Sequence, residues 1–110
     1  MAYDAELADR VRELVAPRGG GDELRMFGGL AFLVNGNMSV VVSSQGGLMV
    51  RVPPAQTEQL LTGPHVEPMI MSGRQVRGWV RVTAPGLRTT RQLSTWVQRG
   101  VDVAAALPGK

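Results

Sequence analysis

The apolar positions of this chain switch between a helical and a strand period, and the switches mark its elements. Leu7, Val11, Leu14 and Val15 recur at i, i+4, i+7 and i+8. That spacing predicts a helix over residues 5–16 with one apolar stripe. Asp4 is its N-cap, and Pro17 stops it. Residues 18–22, with Gly19-Gly20-Gly21, read as a flexible loop. A buried strand is predicted over about residues 24–34. Asn35-Gly36 then forms a tight hairpin turn, since both central positions favour positive φ. A second strand follows over about 38–43, a turn at Gln45-Gly46-Gly47, and a third strand over 48–52. Pro53-Pro54 ends that strand and opens a short helix over about 54–61. A loop over 62–67, a short strand over 68–72 and a longer one over 75–82 come next, joined at Gly73-Arg74. After a turn at Ala84-Pro85-Gly86, Thr89 or Thr90 caps a last helix reaching about residue 107. Its stripe is Leu93, Trp96, Val97, Val101, Ala104 and Ala105, and it is expected to be the main lid on the sheet.

The order α-βββ-α-ββ-α predicts an α+β fold. It is a two-layer sandwich with an antiparallel sheet of about five strands and helices on one face. Within the first strand, Gly28-Gly29 is expected to bend the backbone so that Phe27 and Phe32 both pack. A ligand approaching the bare backbone there is the functional alternative. Phe27, Gly28, Gly29, Phe32, Asn35, Gly36 and Trp96 are thus the residues expected to hold the architecture.

Side chains alternate across a strand. Val76, Gly78, Val80 and Val82 are therefore expected to face the helices, and Arg77, Trp79 and Arg81 to face away. If Leu48, Val50 and Val52 point inward, Met49 and Arg51 join Arg77, Trp79 and Arg81 on the outer face. Trp, Met and Arg are enriched at protein interfaces. A tryptophan between guanidinium groups can also stack nucleobases or grip phosphates, or simply tuck against neighbouring strands.

Composition narrows the classes. The chain of 110 residues suits one domain, taken as residues 1–110, and its 44% hydrophobic content is that of a folded protein. It has no cysteine, which excludes disulfides, thiolate catalysis and zinc–thiolate sites. No apolar run approaches the roughly 20 residues that span a bilayer, and residues 1–10 do not form a signal peptide. A cytoplasmic location and no membrane partner are expected. The formal charge of +3 is unevenly spread. Residues 1–24 carry six acids against three arginines, whereas residues 68–101 carry six arginines and no acid. That asymmetry suits an acidic partner, or a first helix that neutralises the last half.

Specific chemistry is sparse. His65 is the only histidine; with Glu67 it offers two metal ligands but no third. It reads as a solvent-facing loop residue. The serines have no Gly-x-Ser-x-Gly context, and Gly19-Gly20-Gly21 has no following Lys-Ser/Thr to make a phosphate loop. Asn37-Met38-Ser39 fits a glycosylation sequon within a hairpin of an expected cytosolic protein and is discounted. No catalytic residue, cofactor or metal is expected.

Met26-Phe27-Gly28-Gly29, Phe32 and Asn35-Gly36-Asn37-Met38 resemble the N-terminal domain of the TfoX/Sxy family. So do Leu48-Met49-Val50-Arg51-Val52 before a Pro-led helix, Pro68-Met69, Gly78-Trp79-Val80 and the final Leu93-Trp96-Val97 helix. The resemblance implies an α/β sandwich with helices on one face. Full-length bacterial members resemble regulators that help the cyclic-AMP receptor protein activate competence genes, and they carry a second, helical C-terminal domain. This chain is expected to hold the first domain alone. The family has no agreed catalytic residues to carry over. The expected function is thus non-catalytic, through contacts with a protein partner or a second copy, linked to transcription or competence. The alternatives are nucleic-acid binding by the basic region 74–99, and an enzyme or small-ligand binder with a pocket near Gly28-Gly29.

Overall fold

The structure, a computed structural model, describes residues 3–26 and 28–109. Strands β1 (Gly20–Met26), β2 (Gly29–Val34), β3 (Asn37–Val42), β4 (Leu48–Arg51), β5 (Val66–Met71) and β6 (Arg74–Val82) form one antiparallel sheet in the order β1-β2-β3-β4-β6-β5. Among the described residues three α-helices accompany it: α1 (Ala5–Val15), α2 (Thr57–Leu60) and α3 (Thr90–Ala106). The fold is α+β, as the sequence predicts. No helix among the described residues is long and apolar enough to cross a membrane.

The sheet has six strands rather than about five, because the expected first strand is two. It breaks between Met26 and Gly29, where Gly28 takes φ 77°, and Met26 pairs with Gly29 across the resulting hairpin. Gly29 is a close backbone approach: a Cβ there would lie 2.6 Å from the carbonyl oxygen of Val42. Phe27 lies outside the described residues. The glycine run is not a loop either, since β1 begins at Gly20. The short helix is also less regular than expected. It is a 3-10 turn over Pro54–Gln56 followed by the single turn of α2.

One face of the sheet carries the core. Leu7, Val11 and Val15 of α1 and Leu93, Val97, Val101 and Ala104 of α3 pack on Leu30, Phe32, Val40, Val42, Leu48, Val50, Val80 and Val82. Burying each large member contributes roughly 1.5–3 kcal/mol. Trp96 packs at the margin of this layer, while Ala105, expected in the stripe, is exposed.

The caps follow the sequence signals. Asp4 accepts from the N–H groups of Glu6 (3.0 Å) and Leu7 (3.1 Å). Thr89 and Gln92 form a reciprocal capping box on α3. The β2–β3 turn has positive φ at Asn35 and Gly36, as a two-residue hairpin turn requires. Asn37, just beyond it, is buried, and its side-chain amide donates to the carbonyls of Ala104 (3.2 Å) and Pro108 (2.9 Å). The hairpin therefore caps the carboxyl end of α3, and the sequon asparagine has a structural task.

Candidate functional site

Among the described residues, no helical layer covers the second face of the sheet. Cross-strand pairing sets Met49 beside Arg81 and Arg51 beside Trp79 on this face. Those four of the five candidate surface residues come together. The fifth, Arg77, does not: it donates to the carbonyl of Pro54 (3.2 Å), beside α2 on the helix side. Val76, expected to face the helices, instead lines the same cavity as Trp79.

Gly78 explains both exchanges. It is buried with φ 91°, a conformation that side chains rarely adopt. Its N–H donates to the buried hydroxyl of Thr57 (2.9 Å), and its carbonyl accepts from Val52 N–H (2.9 Å). The ladder with β5 pairs Pro68 with Val80 but Ile70 with Gln75, so residues 76–79 stand against Met69 alone. A bulge of this kind reverses the alternation and bends the strand. Val80 and Val82, beyond it, keep their inward positions.

The bend turns the open face into a groove. Met69, Ile70 and Met71 of β5 and Val76 of β6 line the same cavity, of about 520 Å³, as Met26, Met38 and Val41 from β1 and β3. Five of the six methionines of the sequence line it. Ile70 is 55% exposed and Met71 45%. The sequence reading singled out only Met49 among them. Met26 shows why: its outward direction follows from the β1–β2 register, which depends on the unforeseen break between Met26 and Gly29.

The guanidinium groups of Arg51 and Arg81 on this face are held in place. Arg51 lies 5.6 Å from the Trp79 ring centroid and donates to the carbonyl of Met38 (3.2 Å). Arg81 donates to the β3–β4 turn, at the carbonyls of Gln45 (3.0 Å) and Gly46 (2.8 Å) and at Gln45 Oε1 (3.1 Å). Their charge persists, but much of their donor capacity is directed at the protein itself. Glu67 pairs opposite Arg81, so the rim holds both signs. No group of three or more His, Asp or Glu residues is arranged to hold a metal ion among the described residues. Ser39 is buried and donates to the Phe32 carbonyl (2.8 Å), a structural placement.

The chain belongs to the TfoX N-terminal domain family, whose pattern matches residues 13–104 of the 110. No curated protein matches it.

Proposed function

We propose that this domain is a non-catalytic docking module whose methionine-lined groove receives the apolar face of an amphipathic helix from a protein partner. The observation that carries this reading is the collection of flexible, polarizable methionine side chains around Trp79 on a concave sheet face without a covering layer. Methionine adapts its shape to varied apolar partners, and tryptophan backed by arginine is a common interface anchor. Concavity favours a helix over a second copy of the chain, because a two-fold contact through this surface would set groove against groove. A helix of about 10–12 Å diameter supplies a ridge with apolar anchors at i, i+4 and i+7. The transcription- or competence-linked regulation implied by the family is the setting in which we place this contact. Nucleic-acid binding is less well supported here, since Arg51 and Arg81 direct donors to backbone carbonyls.

The test is selection from a displayed library of amphipathic helices, followed by titration of the selected peptide. Binders are expected to share the i, i+4, i+7 apolar pattern. Their affinity should fall at least about tenfold against Trp79→Ala and Met49→Glu. Selection of no such helix, or equal binding by variants that keep the parental melting temperature, overturns the reading. Sedimentation of the unliganded chain covers the alternative of self-association.

A further inference from the structure

On the helix-bearing side, a second cavity of about 520 Å³ opens between α2, the loop into β5 and α3. Its lining mixes Leu60, Pro64 and Val66 with a larger set of hydrogen-bonding side chains. Gln56, Gln59, His65, Gln92, Trp96 and Arg99 line it, and no acidic residue does. Residues 92, 96 and 99 share one face of α3 by their spacing. The Arg99 guanidinium carbon lies 4.6 Å from the Trp96 ring centroid, and Arg99 enters no ion pair among the described residues. The capping box uses Oε1 of Gln92, which leaves its amide N–H groups to donate.

His65 is held at this cavity by its backbone. Its φ is 65°, unusual for a residue with a side chain. The Thr83 N–H donates to its carbonyl (2.8 Å), and the Thr83 hydroxyl does so at 3.3 Å. Gly86 leaves the room: a Cβ there would lie 3.0 Å from His65 Cβ and 2.9 Å from Val82 Cγ1. A strained position supported from two sides is a reason to look for function.

We infer that this cavity binds a small phosphate monoester whose organic part carries hydroxyl groups. Arg99 offers the planar, permanently charged fork that suits phosphate. The imidazole and the Gln92 amide add donors for the remaining phosphate oxygens. Gln56 and Gln59 both donate and accept, as recognition of hydroxyl groups requires. The volume falls in the range of small-molecule sites. The site is separate from the groove and stands or falls independently of it.

Glucose 6-phosphate, inorganic phosphate and glucose serve as probes, followed by amide chemical shifts and calorimetry on the whole chain. Glucose 6-phosphate should bind saturably, inorganic phosphate more weakly, and glucose not measurably. Shifts should concentrate in residues 56–66 and 86–99. Arg99→Gln should weaken binding about tenfold or more. His65→Gly removes the imidazole while supplying the residue most at ease with positive φ. It should weaken binding several-fold at an unchanged or raised melting temperature. Absence of saturable binding, equal binding of glucose and its phosphate, or unchanged affinity in either folded variant overturns the proposal.

Discussion

Gly100 sets two opposing effects against each other at a single residue. It lies inside α3, where replacing glycine by alanine ordinarily stabilises a helix by about 1 kcal/mol. Here a Cβ would lie 2.8 Å from Val40 Cγ1 and closer still to the Ser39 carbonyl oxygen. The Ser39 backbone cannot yield as a side-chain tip can, and overpacking of this kind typically costs about 1–3 kcal/mol. Gly100→Ala should therefore destabilise by about 1–2 kcal/mol net in urea unfolding. Gly21→Ala, with nothing within 4 Å of the added methyl, should change stability by no more than about 0.5 kcal/mol. A stabilised Gly100→Ala variant would mean that α3 sits farther from β3 than the core describes.

Elements carry the clearest lesson about legibility. The helices announced themselves, because Asp4, Pro17 and the Thr89–Gln92 box are local signals acting on local backbone. So did the β2–β3 hairpin at Asn35-Gly36. The break between Met26 and Gly29 did not, since a glycine pair fits a bend within one strand as well as a turn between two. Arg77 was misplaced for a related reason: strict alternation fails at Gly78, whose positive φ is secured by Thr57, far away in sequence. Four of the surface candidates were legible because β4 and the end of β6 do alternate. The remaining groove methionines were not: Met69 and Met71 depend on the β5–β6 bulge, Met26 on the β1 register, and Met38 on the register shift between β2 and β3 at Phe32 and Leu33. One long-range link also ties α1 to the edge strand β1. Arg12 bonds both carboxylate oxygens of Glu23, at 2.5 and 3.0 Å, and Asp9 at 2.6 Å. The hydrogen bonds from Arg12, more than its charge, hold the Glu23 carboxyl below its ordinary range against a smaller opposing effect of burial; the guanidinium is correspondingly raised. A carboxylate whose folded pKa is lowered adds stability above its unfolded value, near about 4.3, and loses it as pH falls through the folded value. Stabilities of the parent and Glu23→Gln should thus differ near neutrality by at most about 1 kcal/mol, because the pair is solvent-exposed. The difference should vanish in acid below the ordinary glutamate range. A gap that persists or widens there would assign the effect to packing.

At the scale of the molecule, stability and adaptability are divided between the centre of the sheet and its β5 edge. Strands β2, β3 and β4 are paired on both sides and covered by α1 and α3 on their inner face. The strand β5 is paired only with β6, contains Pro68 and exposes Ile70 and Met71. Local opening is cheapest where few apolar contacts are lost. Amides of β5 bonded to β6 should therefore exchange with solvent at least about a hundredfold faster than those of β3, which open only with the whole domain. The same hairpin forms one wall of the methionine groove, so it can reshape around a partner without disturbing the core. Occupation of the groove by a selected helix should then raise protection in β5 far more than in β3. Hydrogen exchange followed residue by residue, with and without the peptide, measures both quantities. Equal protection in β5 and β3 before the peptide is added would mean a rigid groove, and a rigid groove would select one partner shape rather than adapt to several.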